Sequence, residues 1–264
     1  MTKIIEKKSI LLYNINVGKW DKMDKERIDD LGINGKKIIQ NTDYFCFGID
    51  SVLLANFVES NSNKNDIVDL CSGSGVVSVI VSQKKKCNKI YAVELQNEMY
   101  DLLNRNVKIN SLEEKIVPLK GNVKDFTMNK KVDVVVSNPP YKEVGTGVEN
   151  INIVKYIARH EKECTLEDIF KCSSKLLKQK GKLYLVHKPQ RIPDLISEAR
   201  KYKLEPKKMR LVYPTINSKP SIVLMEYVYF GGNELEVLSP LIEYDENGEY
   251  TKEIFEIYGM GENK

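Results

Sequence analysis

Apolar and polar positions along the chain alternate between two periods. Short apolar runs read as strands: "DIVDLC" (66–71), "KIYAVEL" (89–95), "KIVPLKG" (115–121), "VDVVVSN" (132–138) and "KLYLVHK" (182–188). Between them lie stretches of helical period. "VVSVIVSQKKK" closes with Lys84, Lys85 and Lys86 near the negative end of a helix, and "NEMYDLLNRNVKIN" carries Met99, Leu102, Leu103 and Val107 on one face. "TLEDIFKCSSKLLKQKG" predicts a helix with Thr165 as N-cap and Gly181 past its end. "RIPDLISEARKY" predicts another, and "KKMRLVYP" and "SIVLMEYVYF" are two last strands. Upstream, "KKIIQ" is strand-like and a short helix starts at Asp50. The tail has a turn at 245–248 and an acidic helix after Thr251.

Repeated strand–helix–strand units imply an α/β fold with a parallel sheet covered on both faces, and "VDVVVSN", apolar on both sides, suits its centre. Ligands on such sheets bind at the C-terminal strand ends. Three features fall there. The first is "DLCSGSG" (69–75), where Gly73 and Gly75 let the backbone approach a ligand and the next helix offers free N–H groups to an anion. Alone, this also describes an ordinary tight turn. The second is Glu94, ending the next strand 21 residues after Gly73, where a carboxylate accepts hydrogen bonds from both hydroxyls of a ribose. Alone, Glu94 is as readily a surface acid. Together they point to a nucleoside cofactor; a nicotinamide dinucleotide stays open, although no third glycine completes GxGxxG.

The third feature is "NPPY" (138–141). Proline fixes its own backbone and restricts the residue before it, so Asn138 is a rigid polar group at a strand end. The Asn138 side-chain oxygen and the Pro139 carbonyl can accept both protons of an amino group, while Tyr141 offers a flat face to a planar ring. The competing reading is a turn after a strand, where Asn and Pro are both common.

Composition adds bounds. The chain of 264 residues is 42% apolar and 30% charged, enough for a full core, and it has no apolar run near the roughly 18 residues a membrane span needs. A cytoplasmic protein is expected. Five cysteines without a CxxC pair and two histidines, His160 and His187, support neither a disulfide framework nor a metal site. The net charge of +4 is unevenly spread: residues 171–210 hold 13 Lys or Arg against three acids, and residues 211–264 hold three lysines against ten acids. The basic stretch can face a polyanion or be a solvated lysine-rich surface.

"DLCSGSG", "AVEL" and "NPPY", in this order, resemble the class I S-adenosylmethionine-dependent methyltransferases that modify amino nitrogens. "RIDDL", "KIIQNTDYFCFGIDSVLLANF", "IARHE" and "LYLVHKPQRIPDLI" narrow the likeness to the bacterial family that N6-methylates adenosine 37 of valine tRNA, over about residues 27–230. The resemblance implies a Rossmann-like, three-layer α/β/α fold with a mostly parallel seven-stranded sheet. It implies S-adenosyl-L-methionine as cofactor, held by Asp50, Asp69, Cys71, Gly73, Gly75, Glu94, Asn122, Val123 and Asn138, with Asn138, Pro139 and Tyr141 on the acceptor. Two departures stand out: Phe47-Gly48-Ile49-Asp50 replaces the usual FGTD, losing a hydroxyl, and Asn122 stands where an Asp commonly contacts the cofactor adenine.

The chemistry needs no general base, because a methylated amino nitrogen loses its proton to water, so His160 and His187 are expected to be structural or RNA-facing. The target base must leave its stack, which favours a loop such as the anticodon loop of a tRNA. Lys142 and the basic stretch are candidates to grip phosphates, and "YKEVGTGVEN" (141–150) is either a mobile lid or a plain surface loop. The expected organisation is an N-terminal extension (1–65), a catalytic domain (66–232) and an acidic C-terminal extension (233–264). Competing functions are a protein-glutamine N5-methyltransferase, a DNA adenine methyltransferase, and a non-catalytic RNA-binding module that retains the pocket.

Overall fold

The computed structural model describes residues 25–44, 46–140 and 164–259. A hairpin of β1 (Glu26–Asp30) and β2 (Lys37–Asn41) comes first, then α1 (Ile49–Phe57). The alternating core follows: β3 (Ile67–Leu70), α2 (Val76–Lys84), β4 (Ile90–Glu94), α3 (Asn97–Ile109), β5 (Ile116–Lys120) and β6 (Val132–Ser137). From residue 164 onward come α4 (Leu166–Leu176), β7 (Leu177–His187), α5 (Ile192–Lys201), β8 (Leu204–Tyr213) and β9 (Ile222–Tyr229). The acidic tail adds two two-residue strands, β10 (Glu236–Val237) and β11 (Leu241–Ile242), and α6 (Lys252–Ile257).

Seven long strands, the number the resemblance implied, lie in the order β8-β9-β7-β6-β3-β4-β5, and β10 and β11 extend the sheet along β8 to nine. The pairs from β7 to β5 are parallel, while β9 runs antiparallel to both β7 and β8. Each interior strand is apolar on both sides. Val134 and Val136 of β6 pack with α1, α2 and α6, while Val132 and Val135 pack with α4 and α5. Ile254 and Ile257 of α6 share a cluster with Leu53 of α1 and Ile80 of α2, so the extensions at both ends of the chain bury apolar surface against the core. Pro118 is tolerated in β5 because that strand pairs only with β4, at the sheet edge.

Helix boundaries follow local chemistry with one exception. Thr165 caps α4 as its side chain accepts from the Asp168 N–H, and Asp168 returns the bond to the Thr165 N–H. The helix does not continue to residue 180, however. It stops at Leu176, because Leu177 is buried in register with Val132 and starts β7. Lys180, not Gly181, takes the left-handed backbone (φ 64°), and Gly181 sits where a Cβ would lie 2.8 Å from the Lys178 carbonyl and 3.1 Å from that of Asp133. Gly181 therefore serves a crowded strand bulge and not a helix cap.

The lysines ending α2 do more than complement their own helix. Lys85 donates to the Asn56 carbonyl in the last turn of α1 (2.8 Å), and Lys84 donates to the Ile257 carbonyl ending α6. The N-terminal hairpin is tied down by a side-chain device. Asn106 and Asn110, one turn apart on α3, stand in for a neighbouring strand: Asn110 bonds both the N–H and the carbonyl of Lys37, and Asn106 bonds both those of Ile39. Asn106 is fully buried and also donates to the Ser74 carbonyl, joining the hairpin to the turn after β3.

Candidate active site

The register of the sheet brings the three sequence features together. Leu70 is paired with Val93 on one side and with Ser137 on the other, so Cys71, Glu94 and Asn138 all sit at the C-terminal ends of adjacent parallel strands. Neighbouring strands are about 4.8 Å apart. The Ser137 hydroxyl donates to the Leu70 carbonyl at 2.9 Å and pins the end of β6 to that of β3.

The turn after β3 is built almost wholly from its own backbone. Ser72 donates its N–H (3.0 Å) and its hydroxyl (3.2 Å) to the Val93 carbonyl, and the Gly75 N–H donates to the Ser72 carbonyl. Cys71, Gly73 and Gly75 all take left-handed φ (59°, 56° and 90°). At Gly75 the need for glycine is double, since a Cβ would also come within 2.5 Å of Leu103 Cδ1. Cys71 is not a glycine, and its Sγ lies 3.8 Å from that of Cys164. That neighbouring sulfur and burial hold the Cys71 thiol well above its usual pKa.

Two carboxyls lie beneath this turn. Glu94 accepts from the Gly73 N–H through Oε2 and from the Gln96 N–H through Oε1, both at 2.8 Å, so strand end and glycine turn are directly joined. Burial raises the Glu94 pKa against the pull of those N–H groups. Asp69 accepts from the Ser78 hydroxyl at 2.6 Å through Oδ2, while its Oδ1 is buried without a partner. Burial pushes its pKa up to about 7, with the charge of Glu94 adding to the effect.

Asp50 opens α1, and its Oδ1 accepts from the Ser51 N–H at 2.9 Å. The segment leading into it is held by Gln40, which is buried, accepts from the Phe47 N–H at 2.9 Å and donates to Asp29. On the other side of the turn, Asn122 follows β5; its side-chain oxygen accepts from the Lys124 N–H at 3.1 Å, and Val123 is buried beside it. Asn138 is half-buried, Pro139 is buried, and the Asn138 Nδ2 donates to the Ser51 hydroxyl at 3.0 Å. Tyr141, Lys142, the 141–150 stretch and His160 lie outside the described residues.

His187 ends β7 two residues past Leu185, the partner of Ser137. Its Nδ1 accepts from the Lys188 N–H at 2.8 Å, and burial, with Arg191 nearby, lowers its pKa to about 4. The basic stretch is divided by the topology. Lys188 and Arg191 follow β7 at the same end as Asn138, whereas Lys178, Lys180 and Lys203 stand at the opposite end of the sheet. Among the described residues at least seven of its 13 cations are paired with carboxylates of this chain, among them Lys182 and Lys208 on Glu59 and Arg210 on Glu253. Much of that charge is therefore matched internally.

Several residues of the site carried no sequence signal. Ser51 and Gln40 lie within the segment that carries the resemblance, but nothing in that segment marks their partners, and Leu95, an exposed apolar side chain directly after Glu94, reads simply as the end of a strand. Asn106 had one: it interrupts the apolar face of α3. Among the described residues no group of three His, Cys, Asp or Glu side chains is placed to hold a metal, and no helix is long and apolar enough to cross a membrane.

Comparison with known proteins fits this geometry. The family model described as the TRM5/TYW2 methyltransferase domain matches residues 52–182. A curated relative from Porphyromonas gingivalis, named tRNA1(Val) (adenine(37)-N6)-methyltransferase, is 24% identical over 188 residues, covering 68% of this chain and 73% of its own. A crystal structure described as a predicted O-methyltransferase from Agrobacterium tumefaciens superposes with a TM-score of 0.63 at 18% identity, covering 80% of this chain and 95% of its own. TYW2 of M. jannaschii in complex with AdoMet superposes at 0.53 with 14% identity, covering 80% and 90%.

Proposed function

We propose that this chain, a member of the class I S-adenosylmethionine-dependent methyltransferases, transfers a methyl group to the exocyclic N6 of an adenosine in RNA, with adenosine 37 in the anticodon loop of valine tRNA as the acceptor. The observation that carries the acceptor chemistry is the Asn138 amide, stiffened by Pro139, held through its nitrogen by Ser51, and one strand away from the glycine turn. With that nitrogen engaged, the side-chain oxygen is the atom left to receive an amino proton.

The residues around the turn suit the cofactor. Gly73 and Gly75 supply the left-handed backbone that the turn requires, and the unpartnered Asp69 Oδ1 is an acceptor whose demand a cationic amino group would meet. Each Glu94 oxygen has a lone pair beyond its N–H bond, which suits the two ribose hydroxyls. Asp50 and Cys71 are assigned to the same cofactor by the resemblance, Leu95 and Val123 would offer apolar contact to its purine, and Asn122 retains one lone pair and its amide N–H groups for the purine edge. S-adenosyl-L-methionine, when bound, supplies an electrophilic methyl group on a sulfonium.

Adenine's amino lone pair is drawn into its ring. Asn138 Oδ1 and the Pro139 carbonyl, by accepting the two amino protons, hold the nitrogen with its lone pair turned out of the ring plane. Orientation of this kind supplies roughly 7–11 kcal/mol. The methylated nitrogen sheds its proton to water, and His187, kept neutral by burial, is not needed as a base. Tyr141, next in the chain after Pro140, is the candidate stacking face. Lys188 and Arg191, at the same end of the sheet, are the cations of the basic stretch best placed for phosphates.

The described N-terminal residues form a hairpin and a nine-residue helix, which favours RNA over the protein-glutamine reading, where a long helical domain is expected. The test is transfer of label from methyl-labelled cofactor to unmodified valine tRNA, the same tRNA with guanosine at position 37, duplex DNA and release factor. Label confined to the first, recovered as N6-methyladenosine, is the expected result. Label found only in protein, or in neither nucleic acid, overturns the reading.

A further inference from the structure

The first turn of α1 reaches the end of β6. Ser51, directly after Asp50 and only 5% exposed, accepts a hydrogen bond from Asn138 Nδ2 at 3.0 Å across 87 positions of sequence. The prolines after Asn138 restrain its backbone, but they leave rotation about the side-chain bonds free. An amide with that freedom presents its oxygen to the acceptor in only part of its rotamers, and in others turns a donor toward another donor.

We infer that Ser51 is a positioning residue for methyl transfer, holding the Asn138 amide by its nitrogen so that the oxygen is presented to the acceptor amine and keeping that clamp in fixed relation to Asp50. This rests on the proposed role of Asn138. The hydroxyl is assigned to act through Asn138. The hairpin and Gln40 hold residues 46–48 in front of α1, and Lys85 grips the carbonyl of Asn56 in its last turn, so the helix is a firm base for such a contact. Alanine at position 51 removes one hydrogen-bond partner and leaves a good helix former, so the fold is retained.

The experiment compares wild type, Ser51→Ala, Ser51→Thr and Asn138→Ala in steady-state methylation of unmodified tRNA, alongside calorimetric binding of S-adenosylhomocysteine. In Ser51→Ala kcat is expected to fall about five- to tenfold, the loss of one well-placed hydrogen bond, with cofactor Kd and tRNA KM within about twofold of wild type. Ser51→Thr, which keeps the hydroxyl, is expected to recover most of that loss. Unchanged kcat in Ser51→Ala, or cofactor affinity falling in step with kcat, overturns the inference. A wild-type protein that binds cofactor but methylates no RNA overturns the functional reading instead, so the two failures are distinguishable.

Discussion

The glycine turn and the end of β6 stand side by side on one sheet, yet they are held in opposite ways. The turn is secured by short-range backbone bonds and by carboxyls from the strands beneath it: Ser72 on Val93, Gly75 on Ser72, Glu94 on Gly73. The Asn138 amide is tied, among the described residues, to a helix that arrives from the N-terminal extension. A ligand entering the turn meets a surface already fixed, whereas one meeting Asn138 depends on a contact between distant parts of the chain. The cofactor half should therefore tolerate damage to the acceptor half, and not the reverse.

That asymmetry can be broken most severely at Asn138. Asn138→Ala is expected to cut kcat by about a hundredfold or more, the scale of a misplaced reacting group, while cofactor Kd shifts by less than about threefold. Stopped-assay kinetics with calorimetry checks this, and parallel losses would mean the halves are one unit. Next in size, Gly75→Ala forces a Cβ onto Leu103 and into a left-handed backbone, at an expected cost of about 1–3 kcal/mol in stability by urea denaturation. Cofactor affinity should fall with it. A fully stable Gly75→Ala protein with wild-type affinity would show the turn to be less rigid than its bonding suggests.

The smallest effect concerns pH. Burial lifts Asp69 to about 7 in the folded chain. The unfolded value is near ~3.9, so the folded chain retains a proton there that the unfolded chain has released, and Asp69's contribution to stability is lost as pH rises from about 4 to about 7. A cationic ligand group prefers the ionised carboxyl, so cofactor binding should tighten up to about tenfold per pH unit below pH ~7 and level off above it. Asp69→Asn should flatten the profile, as read by calorimetry; a profile unchanged in that variant removes Asp69 from the cofactor's surroundings.

The same contrast explains what could be read from the sequence. β3, β4 and β6 and the spacing of Gly73 to Glu94 rest on local periods and motifs, which a linear sequence displays, while the count of seven strands came from the resemblance. The start of β7 was hidden because "LLKQKG" has helical composition, and only the register of Leu177 against Val132 decides its fate. Ser51 and Gln40 were invisible for a related reason: each acts on a partner it meets only after folding. Of the basic stretch, the count of charges was legible, but its pairing with Glu59, Asp133 and Glu253 was not. The role of Tyr141 still rests on the motif and the resemblance.

One property of the sheet bears on how copies of this chain meet. At one margin Pro118 interrupts β5, and at the other the two-residue strands β10 and β11 lie along β8, donated by the chain's own acidic tail. Both margins thus discourage another molecule from adding a strand, the usual seed of uncontrolled polymerisation in open sheets.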